Sequence, residues 1–99
     1  MSTEKTQIKD CVQALTYAEF SLGFNDSNNA FVTLDLAKDR VEQLFNDTSY
    51  TNTPQKLALL TEAKTRIVEA IEALEAKSGV LARKIKLAKN CLDALTSIM

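Results

Sequence analysis

The fold is decided by residues 54–99, which read PQKLALLTEAKTRIVEAIEALEAKSGVLARKIKLAKNCLDALTSIM. A seven-residue repeat of apolar side chains runs through this stretch without losing phase. Its two apolar positions hold Leu57, Lys64, Ile71, Ser78, Ile85, Leu92 and Met99, and Leu60, Ile67, Leu74, Leu81, Ala88 and Leu95. Only Lys64 and Ser78 depart from the apolar pattern. Side chains spaced three and four apart share one face of an α-helix, so the repeat predicts amphipathic helix throughout.

The central question in this stretch is whether the helix continues through Gly79. This glycine lies on the polar side of the repeat, where it costs about 1 kcal/mol relative to alanine but leaves the apolar face intact. A break at Ser78–Gly79 would place Arg83 and Lys84 near the N-terminus of a new helix, where the helix dipole disfavours positive charge. The charges therefore favour one helix over 54–98. A stop at Ser78–Gly79 is the alternative, because the two pieces would then match the earlier helices in length.

Two shorter helices are predicted before this stretch, over about 3–22 and 29–45. Both have apolar residues at spacings of three and four. Gly23 fits a left-handed end of the first helix, and the polar run that follows it is typical of a turn. A second polar run, over 46–53, is predicted to be a loop.

Residues 1–99 are therefore predicted to form a single all-α domain. The favoured architecture is a helical hairpin packed against a long C-terminal helix, which makes a three-helix bundle. The alternative is a four-helix bundle, if the chain breaks at Gly79. The scarcity of helix breakers supports either form, because the chain has only two glycines and one proline.

Five large side chains lie off the apolar stripes of the two shorter helices: Tyr17, Phe20, Phe24, Val32 and Leu36. For the aromatic residues, packing at the end of the bundle or widening of the buried face is favoured over a binding patch, because large aromatic side chains are on average well buried. Val32 and Leu36 are predicted to form either a second packing edge or part of a partner surface.

The composition limits the functional classes. The net charge is −1, which provides no overall attraction to nucleic acid or to a membrane. No apolar run approaches the ~18 residues of a membrane span, and the polar N-terminus lacks the apolar core of a signal peptide. We therefore expect a cytoplasmic protein with no membrane span. Cys11 and Cys91 lack metal-site spacing and are expected to be reduced and buried.

Catalytic motifs are missing from the sequence. There is no histidine, which removes the commonest general base and metal ligand, and there is no Gly-rich phosphate loop. Glu69, Glu72 and Glu75 fall on the polar side of the long helix, whereas metal-binding carboxylates in helical bundles project inward. We therefore predict a protein that is not an enzyme and has neither a cofactor nor a bound metal.

Positive charge is concentrated in a basic segment, residues 77–89, which contains five basic residues and no acidic one. Three interpretations are open. The segment is a solvated face, a row that pairs with acidic residues of a partner or a second copy, or a nucleic-acid-binding site. No aromatic side chain lies between the basic residues, which disfavours the last interpretation.

Helix lengths support a partner for the C-terminal stretch. A continuous 46-residue helix over 54–99 would be about 69 Å long, and the shorter helices, at about 25–30 Å, would leave half of its apolar face bare. Such a face predicts an interface, and two antiparallel copies would set Glu62–Glu75 against Lys77–Lys89. The predicted partner-binding residues are Lys77, Leu81, Arg83, Lys84, Ile85, Lys86, Lys89 and Leu92.

The favoured function is that of a small non-enzymatic interaction protein, such as an adaptor, assembly subunit, chaperone or inhibitor. It would dock an apolar helix face with charged edges onto a protein partner or onto a second copy in an antiparallel homodimer. The alternative is a nucleic-acid-associated accessory protein that uses the basic segment.

Overall fold

Four α-helices make up the regular structure in the computed structural model, which describes residues 4–46 and 53–98. They are α1 (Glu4–Gly23), α2 (Ser27–Phe45), α3 (Pro54–Glu75) and α4 (Leu81–Ser97). No strand occurs in the two described ranges. The predicted all-α fold is confirmed, and the four-helix alternative is the observed architecture. The predicted start at Thr3 and most of the loop over 46–53 lie outside the described residues.

The helices form a closed ring in chain order. Each helix packs against two others: α1 against α2 and α4, and α3 against α2 and α4. Within the described ranges, the diagonal pairs α1–α3 and α2–α4 do not meet. Since the turns after α1 and α3 are only a few residues long, each hairpin is antiparallel, as in other up-and-down bundles. The molecule measures 38 × 23 × 20 Å along its principal axes.

One apolar core fills the centre of this ring. Its largest fully buried side chains are Ile8, Leu15, Leu34, Val41, Leu44, Leu60, Ile67, Ile85, Leu92 and Leu95. All five buried residues of α4 belong to the predicted repeat, so the periodicity identified its buried face. On α3, Leu60 and Ile67 of the repeat are buried, and three alanines outside the repeat complete the buried face: Ala63, Ala70 and Ala73. The apolar face of α3 packs against α2 and α4, and that of α4 packs against α1 and α3. This face is therefore covered by helices of the same chain.

The prediction of one helix over 54–98 is wrong, because the chain turns between Glu75 and Leu81. The turn closes α3 with two hydrogen bonds typical of a Schellman motif. The Ser78 N–H donates to the Ala73 carbonyl at 2.8 Å, and the Lys77 N–H donates to the Leu74 carbonyl at 3.1 Å. Lys77 has a left-handed backbone, with φ at 54°. A lysine carries no sequence signal for this conformation, whereas Gly79, two residues later, does.

The turn between α1 and α2 has the same geometry, with Asn25 in the left-handed conformation at φ 58°. The Asp26 N–H donates to the Ser21 carbonyl at 2.8 Å. The prediction that Gly23 forms the left-handed end is therefore wrong, and Asn25, which tolerates this region well, has that role. Asp26 then caps α2, because its side chain accepts a hydrogen bond from the Asn29 N–H at 3.1 Å.

Replacing Lys77 with glycine is expected to raise the free energy of unfolding by about 1 kcal/mol. The left-handed region costs a residue with a Cβ atom about 1–2 kcal/mol, and the greater freedom of glycine in the unfolded chain offsets part of that gain. Urea unfolding followed by circular dichroism measures the change. Lys77→Ala is the control, because it removes the same charge but keeps the Cβ; an equal gain in both variants would assign the effect to charge.

Candidate partner-binding surface

The three apolar residues predicted to contact a partner lie in the core of the bundle. Leu81 is 8% exposed, and Ile85 and Leu92 are fully buried. The prediction that they bind a partner depended on a continuous helix, which would have left this apolar face bare. Because the chain folds back at 76–80, α4 turns this face onto α1 and α3, so these three side chains are not available to a partner in the closed bundle.

The five cations of the basic segment divide into two groups. Lys89 Nζ lies 2.8 Å from Glu19 Oε1 of α1, and Lys84 Nζ lies 3.4 Å from Glu69 Oε1 of α3. These two lysines therefore join α4 to its neighbours within the chain. The other three, Lys77, Arg83 and Lys86, are exposed, so only they present their charge to solvent.

A small charge network occupies the seam between α3 and α4. Arg66 donates a hydrogen bond to Glu69 at 2.9 Å and also lies 3.7 Å from Glu62. The hydrogen bond from Arg66, together with the nearby Lys84 ammonium, holds the pKa of Glu69 below its usual range. Glu69 is thus engaged in ion pairs, and no group of three potential metal ligands occurs in the described ranges.

Three exposed aromatic side chains lie along the outward side of α1 and just beyond its end. Tyr17 is 52% exposed, Phe20 is 63% exposed and Phe24, just beyond the helix, is 82% exposed. Spacings of three and four place them in one row. The favoured prediction that these aromatic residues pack the end of the bundle is therefore wrong, and the binding-patch alternative fits their positions.

The outward side of α2 continues this apolar surface. Val32 is 61% exposed and Leu36 is 44% exposed, and they lie one turn apart. Leu36 and Tyr17 line the same groove between α1 and α2. The exposed row on α1 and the exposed pair on α2 therefore meet at this groove. An ion pair between Asp10 and Arg40, at 3.8 Å, borders the same groove. We call this surface the α1–α2 face; it consists of Tyr17, Phe20, Phe24, Val32 and Leu36.

The remaining exposed apolar residues do not form a comparable row. The large ones within the described ranges are Phe31, Leu57, Val80 and Ile98, each less than half exposed. Single exposed apolar residues are normal on soluble proteins, whereas a group of large ones marks an interaction site. The helical phase of α1 could have identified the site, because at about 100° per residue the three aromatic positions point away from buried Leu15.

Charge is distributed unequally between the two hairpins. Residues 4–46 contain seven acidic and four basic side chains, and residues 53–98 contain five acidic and eight basic ones. The near-neutral total charge therefore conceals an acidic α1–α2 hairpin and a basic α3–α4 hairpin. The α1–α2 face lies on the acidic hairpin.

The two cysteines are free thiols. Burial raises the pKa of the Cys11 thiol to about 12, and burial also raises the pKa of half-buried Cys91. A raised pKa lowers the thiolate fraction at neutral pH and with it the reactivity. Both residues are therefore poor nucleophiles in this fold.

Among the described helices, none is both long and apolar enough to cross a membrane. Comparison of the chain with protein-family models, curated proteins and solved structures finds no match in any of the three. The class that the fold and the surface define is an antiparallel four-helix bundle with an apolar, largely aromatic outer face.

Proposed function

We propose that this chain is a small non-enzymatic interaction protein that binds a protein partner through the α1–α2 face. The observation that carries the proposal is the row formed by Tyr17, Phe20 and Phe24, all more than half exposed although the bundle has a complete core of its own. Aromatic side chains are enriched at protein interfaces because they bury a large area with few rotatable bonds. The adaptor, assembly-subunit, chaperone and inhibitor roles all use such a surface.

The surroundings of the α1–α2 face indicate the chemistry of the partner. Ridges of two adjacent helices with a groove between them suit an amphipathic helix laid along the groove. The hairpin that carries the face has an excess of acidic residues, so a partner with basic residues at its rim would be favoured in encounter rate and register. We therefore propose an apolar helix with basic edges as the partner element. The two reduced thiols support a cytoplasmic location for this interaction.

Nucleic-acid binding through the basic segment is the alternative function. Its support is limited to Lys77, Arg83 and Lys86, because Lys84 and Lys89 already form ion pairs inside the chain. Non-specific binding by three phosphate contacts would be weak and would fall steeply with salt.

A photocross-linking experiment tests the proposal against this alternative. Benzoylphenylalanine is placed at Phe20, at Thr65 on the exposed side of α3 as the matched control, and at Lys86 in the basic segment. Protein adducts formed in the native host at Phe20 and not at Thr65 support the proposal. Equal adducts at Phe20 and Thr65 would contradict it, and nucleic-acid adducts at Lys86 alone would favour the alternative.

A further inference from the structure

The buried faces of α3 and α4 are in helical phase with each other across the turn. The buried residues are Leu60, Ala63, Ile67, Ala70 and Ala73 on α3, and Leu81, Ile85, Ala88, Leu92 and Leu95 on α4. At about 100° per residue, a helical path through 76–80 would centre both sets on the same direction. The observed turn does not require this agreement, because a hairpin can join two helices of any relative phase. A continuous helix does require it.

The turn over 76–80 is also less favourable than its counterpart after α1. Lys77 holds a left-handed backbone, which lysine tolerates less well than the Asn25 of the other turn. The N-cap residue Val80 offers no side-chain cap to α4, and the first turn of α4 has no acidic residue. Ser78 Oγ accepts a hydrogen bond from the Val80 N–H at 3.3 Å, which lies before the first residue of α4, whereas Asp26 accepts one from the Asn29 N–H within α2. Arg83 and Lys84 then add the charge sign that the helix dipole disfavours there.

We propose that two copies of this chain exchange α4 and form a domain-swapped dimer. In this dimer 76–80 is helical, α3 and α4 become one helix of about 66 Å, and two such helices run antiparallel. The α4 of each copy occupies in the other copy the place that it occupies in the closed monomer. The partner surface is therefore the buried face of α4 itself, and the occupant is a second copy.

The exchange keeps the contacts of the closed bundle and changes only the turns. Lys84 pairs with Glu69, and Lys89 with Glu19, across the chains instead of within one chain. The same core side chains pack together, so the balance between monomer and dimer is set by the turn and by concentration. A Cβ at Gly79 meets nothing within 4 Å in the closed form.

This inference does not rest on the proposed function, because the α1–α2 face remains exposed in monomer and dimer alike. The exchange of α4 and the proposed function are also tested by separate experiments. Failure of the exchange leaves the cross-linking result at Phe20 unaffected, and loss of partner binding leaves the exchange unaffected.

Two substitutions in the turn shift the equilibrium in opposite directions. Gly79→Ala favours the helical path, and with two turns per dimer we expect an association constant about 30-fold higher. Lys77→Gly favours the closed turn and disfavours the helix, so we expect an association constant at least about 100-fold lower. Each protein is unfolded in denaturant, refolded at the highest soluble concentration and measured by light scattering coupled to size exclusion. Circular dichroism verifies that both variants keep the helical content of the wild type.

An isotope-mixing experiment distinguishes an exchanged dimer from a surface dimer. Unlabelled and ¹⁵N-labelled chains are refolded together, the dimer is isolated, and a zero-length carbodiimide joins contacting lysines and carboxylates. Exchange predicts Glu69–Lys84 and Glu19–Lys89 cross-links between labelled and unlabelled peptides. A dimer in which both cross-links stay within one chain would overturn the proposal. So would a Gly79→Ala protein that remains monomeric after refolding at every concentration.

Discussion

Replacing Ile85 with alanine is expected to lower the free energy of unfolding by about 2–5 kcal/mol. Ile85 is fully buried on α4, so truncation loses its transfer free energy and leaves a cavity that the surrounding helices fill only in part. Small domains have about 5–15 kcal/mol of stability in total, so this single change removes a large share. Urea unfolding followed by circular dichroism measures it.

The neighbouring residue provides the control for this prediction. Lys86 is exposed on the same helix, and Lys86→Ala should change stability by less than about 0.5 kcal/mol. The comparison also decides between the two roles considered for Ile85. A variant that keeps wild-type stability but loses a binding partner would place Ile85 on an interaction surface and would contradict the closed bundle.

Replacing Phe20 and Phe24 together with glutamate is expected to abolish partner binding while leaving the fold intact. Truncating a central aromatic residue of an interface costs about 2 kcal/mol or more, and an unpaired charge buried against an apolar partner adds to that cost. The combined loss in affinity should exceed about 100-fold, since every 1.4 kcal/mol is tenfold. Isothermal titration with the cross-linked partner, once identified, measures this loss.

Exposure explains why stability should not change in this double variant. Phe20 and Phe24 are 63% and 82% exposed, so they contribute little to the core. Leu57→Glu is the matched control, because it also replaces a partly exposed apolar residue with glutamate but lies on α3 outside the α1–α2 face. Binding that is equally reduced by Leu57→Glu, or unaffected by the double variant, would remove the α1–α2 face as the site.

The secondary structure was largely readable from the sequence because amphipathic periodicity is a strong local signal. The heptad repeat correctly identified the buried side of α4. On α3 it correctly identified Leu60 and Ile67, whereas Leu57 at its start is exposed. The helix start was equally clear, since Pro54 is the first residue of α3 as the Thr53–Pro54 pair predicts.

The break between α3 and α4 was harder to predict for a specific physical reason. A heptad repeat defines which side of a helix is buried, but it is the same whether the covering surface comes from the same chain or from another. The residue that makes the turn is Lys77, for which a left-handed backbone is uncommon, and Gly79, two residues later, does not have a positive φ. Leu81, Ile85 and Leu92 were predicted to contact a partner because a continuous helix would have left them uncovered, whereas the turn buries them in the core.

The sequence favoured burial of the aromatic residues of the α1–α2 face over a binding patch, whereas the structure shows them exposed. The average burial of aromatic residues was given more weight than the position of Tyr17, Phe20 and Phe24 around the helix. Position is the better guide in a four-helix ring, because each helix has two neighbours and therefore one side that no other described helix covers.

The unequal charge of the two hairpins makes the protein an electric dipole. About three charges of each sign, separated by roughly the 10 Å between packed helices, correspond to a moment on the order of 140 debye. At low ionic strength, where screening extends over tens of ångströms, the molecule should orient in a field and adsorb to ion exchangers of either sign. On an anionic support it would adsorb through α3 and α4, with the α1–α2 face directed away from the support.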